Sequence, residues 1–524
     1  MPNYLLTNGL IMDGTRKEAY QGDVAIVDGR IALRPSREAV QGAQVIDCKG
    51  LCIAPGFIDI HTHSDACALA EGGQASAPYQ GVTTNIAANC GISIFPLNEE
   101  YGKEISNFCQ RTIEIMPKNG EAITCMQGYA SAMEKAPKRI HYGTLVGHGT
   151  IRGNIIGFHE REATDEELDA MCALLDRELK AGAFGMSLGL IYPPSSYGNL
   201  REFAALGKVL KENKKILTVH MRSESTRIFE AVQEMLDVAL ASGVHLHISH
   251  LKLIGKAQWG RAEELLALIE SARQKGAVIT CDQYPYEASS TGLSALVPGW
   301  AQDGGMDSML QRMQPPSEKL LQDMEAEIQR RGGAHCVEIA STYGHHPAWE
   351  GRRLDDIAAE VHLPAAEAAC HVLLACQGAV ATIYFSIDLE DVKTIMKDMR
   401  IAVGSDGYNF GYNLDYKPHP RSFGSFPRFL QTVRDNHLMP LEDAVYKMTG
   451  LPADILGLTD RGRLADGLVA DITVFDPMAV ADTSTYSNPA SQPAGIPHVF
   501  VAGQPAVLHG QLTDAFHGGM LTRT

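Results

Sequence analysis

The chain has 524 residues, 45% hydrophobic and 20% charged, a composition that fits a soluble globular enzyme with one large domain and smaller ones. Its formal charge of −17 argues against nucleic acid and anionic membrane as main partners, because both need a basic footprint. No apolar run approaches the roughly 20 residues that span a bilayer.

The expected partner is therefore a small molecule, and a homo-oligomer stays open. Residues 1–9 lack the basic, apolar and small-residue pattern of a signal peptide and read as a first strand. The 11 cysteines lie between Cys48 and Cys376 without framework spacing, so reduced thiols in a cytoplasmic protein are expected.

The N-terminal stretch alternates short apolar runs with turn signals. Residues 24–27 and 30–33 flank Asp28-Gly29, a hairpin signal. Near the other end, 462–464, 470–475 and 498–503 also read as strands. Each end is too small to bury a core alone, so the expectation is one β-sandwich built from 1–53 and 456–524.

Between them, strand and helix patterns alternate. Eight strands are predicted at 56–63, 82–90, 142–148, 184–192, 216–221, 244–250, 277–284 and 401–406, with helices such as 165–181, 225–241 and 262–274 between them. Eight parallel strands fit an α/β (β/α)8 barrel over 54–455. A doubly wound open sheet is the alternative, but no GxGxxG or Walker loop accompanies it. An insertion is expected at about 288–345, and 381–387 looks like a ninth strand without a place.

The chemistry-bearing residues fall at strand ends. His61 and His63 are two apart after an apolar strand, so both rings project to one side at the end where barrels keep their sites. His220 closes the fifth strand. The sixth offers His245, His247 and His250; the last has the opposite parity but the terminal position, and is preferred as a zinc ligand. Asp406 ends the eighth strand, where a carboxylate can take a proton from an activated water and pass one to a leaving amine.

These strand ends resemble the amidohydrolase superfamily, whose members are metal-dependent hydrolases or deaminases. No lysine ends the fourth strand to bridge two metals, but Cys90 ends the second, and thiolate is a good zinc ligand. With Gly189-Leu-Ile-Tyr192-Pro-Pro, Val219-His220-Met-Arg-Ser-Glu224, Ser249-His250-Leu-Lys252, Tyr284-Pro-Tyr286 and His419-Pro-Arg421, the chain is similar to the D-aminoacylase (N-acyl-D-amino-acid deacylase) family.

That resemblance implies a tightly held Zn2+ on Cys90, His220 and His250, and a weaker second site on His61, His63 and Asp406. It implies hydrolysis of N-acyl-D-amino acids, with Asp406 as acid–base and Tyr192 as hydrogen-bond donor to the oxyanion. Arg421 would pair with the substrate carboxylate, helped by Lys252, Tyr284 and Ser290, with Ser289 beside them. The uncharged stretch from Thr291 to Trp300 suggests a pocket for apolar side chains. A hydantoinase- or dihydroorotase-like cyclic-amide hydrolase and a non-enzymatic scaffold are the competing readings.

Overall fold

The computed structural model describes residues 3–36, 38–70, 74–112 and 123–523. Its centre is a ring of parallel strands: β1 (Phe57–Asp59), β2 (Val82–Ala87), β3 (His141–Thr144, continued by Val146–Gly147), β4 (Gly185–Gly189), β5 (Ile216–His220), β6 (His245–Ile248), β7 (Ile279–Gln283) and β8 (Ile401–Val403). Parallel ladders join β1 to β2, β2 to β3, and so on in chain order to β8. The ring closes where Thr62 bridges Gly407 and Asp406 N–H donates to His61 O at 2.9 Å. The (β/α)8 barrel is thus complete.

Helices cover its outside. The helix Asp165–Lys180 starts with a capping box between Thr164 and Glu167 and buries Leu168, Met171, Leu175 and Leu179 along one face. Ile228–Ser242 and Ala262–Gln274 likewise bury one apolar face, without a side-chain cap, and fall where helical periodicity places them. Among the described residues no single helix is long and apolar enough to cross a membrane.

Both chain ends contribute to one nine-stranded sheet. The strand Cys52–Pro55 pairs with Ile472–Phe475, so the two ends meet side by side. Tyr4, Leu6, Val24, Ile26, Ile472 and Phe500 share its core. Residues 462–464, expected as a strand, form a bend instead, because Gly462 sits at φ 80° and Leu464 N–H goes to Asp13 O at 3.1 Å.

Past β7 the chain leaves the barrel. Ser289–Gly292, Val337–Ser341 and Ala381–Tyr384 form a three-stranded antiparallel sheet, so the ninth strand belongs here. The excursion consequently continues past residue 345, through the helices Leu354–Glu360 and Ala365–Ala375, with its own core around Leu296, Met324, Leu354 and Leu373. A core of that size explains why the segment needs more chain than a simple lid.

Candidate metal centre

The barrel ladders stop at Asp59, Ala87, Ile248 and Val403, a few residues before the side chains that matter. The chain then turns sharply. Cys90 (φ 54°), His250 (φ 36°) and Asp406 (φ 52°) all sit in the left-handed region that non-glycine residues avoid. Strand parity therefore does not govern His250, and its apparent mismatch with His245 and His247 disappears. His247 turns away from the cluster to Asp282 at 2.9 Å, and both His245 and His247 reach Thr280 at 2.8 Å.

The turns fit together because glycines let backbones touch. A Cβ on Gly189, at the end of β4, would lie 1.9 Å from the Cys90 carbonyl oxygen. A Cβ on Gly147 would meet the Gly91 carbonyl at 2.6 Å. The end of β4 is thus filled by the Cys90 backbone, and no side chain from that position can bridge two metals.

The ring of ligating atoms is tight. Cys90 Sγ lies 3.4 Å from His61 Nε2 and 3.4 Å from His250 Nε2. Asp406 Oδ1 lies 3.0 Å from His63 Nε2 and 3.3 Å from His61 Nε2. Ligand atoms of His61, Cys90, His250 and Asp406 all fall within 4.8 Å of one another, as do those of His220, Glu224 and His250. The two ligand sets that the sequence separates are interleaved here, with Cys90 facing His61 as closely as it faces His250.

Burial alone would raise the Cys90 thiol, but the His250 and His61 rings hold it well below its ordinary range. Burial would likewise raise Asp406, and Arg421 and His250 hold it well below the usual carboxylate range. Burial opposes protonation of His63, yet Asp406 and Cys90 push it up to about 9. Protons on the imidazoles thus balance buried anions, which is the role a divalent cation takes over.

Both ring nitrogens of His220 are buried and lack a hydrogen-bond partner among the described residues. A buried thiolate, converging imidazoles and a carboxylate form a donor set of zinc type, and the bare His220 nitrogens are what a ligand awaiting its ion presents. The residues present fit a zinc ion.

Three supporting carboxylates escape a reading by strand-end histidines. Asp282 accepts from His61 Nδ1 at 3.0 Å and from His250 N–H at 2.8 Å, fixing both. Glu224 Oε1 lies 3.0 Å from His250 Nδ1 and takes Lys252 Nζ at 2.5 Å. Asp59 accepts from the backbone of His61 and Ser405, and burial pushes it up to about 7. Glu224 stands in the quoted Val219–Glu224 motif, and Asp282 is the penultimate residue of β7, two before Tyr284; their positions were the available signal.

Lys252 is tied into this support. Its Nζ also donates to His250 O at 3.0 Å, and the residue is 4% exposed while lining the larger of the two cavities at the cluster. Arg421 heads the helix Arg421–Asn436. Its Nη1 lies 2.6 Å from Asp406 Oδ2, and Nη2 donates to Ser290 O at 3.3 Å. The guanidinium carbon sits 5.1 Å above the Tyr284 ring. The Tyr284 hydroxyl is buried and makes no hydrogen bond among the described residues.

Two cavities meet at the cluster and share His63, Cys90, Tyr192, Ser290 and Thr291. The smaller holds Arg421 and His419; the larger, about 430 Å³, holds Lys252, Glu224, Ser289 and Asp406. At their junction Tyr192 Oη is 2.6 Å from Thr291 Oγ1. Desolvation and the Cys90 charge hold the phenol well above its ordinary range, so it remains a donor.

The stretch from Thr291 to Trp300 contributes less apolar wall than expected. Leu293 and Leu296 are consumed by the excursion's core, and Trp300 donates outward to Asp323. Ala295 and Val297 do line the larger cavity, alongside Leu190, Ile191, Arg222, Arg227, Arg330 and Arg331.

Comparison with known proteins agrees with this geometry. The amidohydrolase family model matches residues 44–142 and 131–507. The chain is 34% identical over 522 residues to a D-aminoacylase of Alcaligenes xylosoxydans xylosoxydans, covering 99% of this chain and 97% of that protein. It is also 34% identical to an N-acyl-D-aspartate deacylase of the same organism, over 99% of this chain and 94% of the other. The structure of an N-acyl-D-glutamate deacylase from Bordetella bronchiseptica, complexed with zinc and a phosphonate mimic of the tetrahedral intermediate, superposes with a TM-score of 0.83 at 30% identity, covering 99% of both chains.

Proposed function

The chain belongs to the amidohydrolase family, in its D-aminoacylase branch, and from that premise we propose that it is a zinc-dependent hydrolase of N-acyl-D-amino acids that releases a carboxylate and a free D-amino acid. Cys90, His220 and His250, with His61, His63 and Asp406 around them, would hold the ion. When bound, zinc supplies Lewis acidity that polarises the amide carbonyl and lets water attack near neutral pH.

The chain's own groups do the rest. Asp406, ionised at neutral pH, accepts the proton of the attacking water and hands it to the amide nitrogen as the C–N bond breaks. Tyr192 donates its hydroxyl to the oxygen that gains negative charge. Arg421, in the wall of the smaller cavity with Ser290, would pair with the α-carboxylate, and the Tyr284 ring beneath its guanidinium would hold it in place. The observation that carries this reading is the converging cluster of His61, Cys90, His250 and Asp406 ligand atoms within 4.8 Å of one another, with His220 nitrogens beside it that make no hydrogen bond among the described residues and Arg421 paired to Asp406.

For the side chain we favour apolar residues. The arginines of the larger cavity already face Glu234, Glu230 and Glu327, which leaves the uncharged strip of Leu190, Ile191, Ala295 and Val297 as its open wall. The eleven free cysteines suit a reducing cytoplasm.

A paired panel of N-acetyl-D- and N-acetyl-L-amino acids tests the activity, run with zinc and with chelator. D-substrates should turn over, chelator should stop them, and zinc should restore them. Turnover of L-substrates alone would refute the reading. Faster hydrolysis of N-acetyl-D-glutamate than of N-acetyl-D-methionine would refute the side-chain preference only.

A further inference from the structure

Strand β3 is also followed directly by a histidine, one that the metal cluster does not use. His148 follows Val146–Gly147 and opens the helix His148–Ile156. Its Nδ1 lies 2.8 Å from Ser195 Oγ, and its Nε2 lies 2.8 Å from Glu202 Oε1. Arg152 Nη1 donates to Glu202 Oε2 at 2.5 Å. All four are sealed in: His148 and Arg152 are 0% exposed, Ser195 1% and Glu202 2%.

The hydroxyl–imidazole–carboxylate order is that of a nucleophilic triad. Yet Ser195, His148 and Glu202 line neither cavity, so no substrate reaches the hydroxyl. Burial alone would raise Glu202, but His148 and Arg152 hold it below its ordinary range, so it acts as an acceptor and takes the Nε2–H of His148. The Nδ1 lone pair then accepts the Ser195 O–H, and Ser195 Oγ is left to accept from Gly189 N–H at 3.3 Å. One proton arrangement satisfies every link.

That last bond closes a clasp from Gly189 to Ser195 with Tyr192 at its middle. Tyr192 N–H donates to Gly189 O at 2.9 Å inside it. Pro193 and Pro194 restrict the backbone between Tyr192 and Ser195, so the position of Ser195 is passed to the phenol. The same helix start also reaches the cysteine turn, where Gly149 N–H donates to Gly91 O at 2.8 Å.

We propose that Ser195, His148 and Glu202 form a positioning relay that holds the Tyr192 hydroxyl at the scissile carbonyl; this rests on the deacylase reading above. The relay touches no substrate and acts through Tyr192. It belongs to the end of β3, one of the strand ends without a metal ligand.

A double-mutant cycle on kcat tests it, using the D-substrate the wild type hydrolyses best. Tyr192→Phe should lower kcat about a hundredfold. Ser195→Ala should lower kcat about tenfold with KM within about twofold. In the Tyr192→Phe background, Ser195→Ala should change kcat by less than about twofold, because the group it positions is gone. Losses that multiply overturn the relay, as does an unchanged kcat in Tyr192→Phe or Ser195→Ala. Should Ser195→Ala fail to fold, Glu202→Gln keeps the side-chain shape and enters the same cycle.

An arm independent of turnover is the crystal structure of Ser195→Ala beside the wild type. The Tyr192 oxygen should leave Thr291 Oγ1, and an unmoved Tyr192 overturns the relay. Absence of any N-acyl-D-amino acid turnover by the wild type would refute the deacylase reading, while this structural arm still decides whether Ser195 sets Tyr192.

Discussion

Asp406 carries the most chemistry of any single residue, because it faces His61, His63 and Arg421 at once. Asp406→Ala should lower kcat by at least about a thousandfold while zinc stays bound through Cys90, His220 and His250. Metal analysis of the purified variant beside its kinetics checks both halves. Arg421→Lys keeps the charge but loses the planar fork, so KM for N-acetyl-D-methionine should rise about tenfold. The preference for that substrate over its primary amide, which lacks the carboxylate, should shrink with it. At this scale much was legible. His61, His63, Cys90, His220, His250 and Asp406 stand at strand ends in the sequence, and chemistry names them. Asp282 and Glu224 were not legible, because a carboxylate that orients an imidazole has no spacing of its own. Lys252 is placed in the right neighbourhood, at the wall of the larger cavity, and its pairing with Glu224 is a contact only the fold reveals.

Among the elements, the turns after the strands decide the site. The left-handed turns at Cys90, His250 and Asp406 bring side chains of three strands into one cluster. Gly189 is the position most exposed to failure, since its missing side chain makes room for the Cys90 backbone. Gly189→Ala should push the cysteine turn outward and lower zinc content together with activity, whereas Gly260→Ala, with no atom within 4 Å of the added carbon, should keep full zinc. Zinc per protein after dialysis separates the two. Strand periodicity foretold all eight barrel strands but ran each of the site strands too long, because an apolar run continues into a turn whose backbone conformation it does not encode. The excursion was visible only in part. Its third strand, Ala381–Tyr384, pairs with residues some ninety positions earlier, and no local pattern announces such a partner.

At the scale of the molecule, the barrel buries Lys447 under its strands, where its ammonium donates to Met396 O at 2.7 Å and also to Asp398 O. Burial lowers its pKa to about 7. An unfolded chain keeps the lysine charged up to its ordinary value of about 10.5. Between those two values the unfolded state binds more protons, so stability rises with pH across that window, and the penalty is full below it. Thermal melts of wild type and Lys447→Met from pH 7 to 10 check this: the wild type should gain on the variant as pH rises. The join of the two chain ends was readable as a need, since neither end could bury a core, but the single nine-stranded sheet with Cys52–Pro55 beside Ile472–Phe475 depends on contacts more than four hundred residues apart.

The account turns on a cysteine in the zinc site. Zinc-edge X-ray absorption on the active, zinc-loaded protein measures it directly. The account predicts one sulfur neighbour at about 2.3 Å among nitrogen and oxygen neighbours near about 2.0 Å. A shell of nitrogen and oxygen alone in fully active enzyme would contradict it.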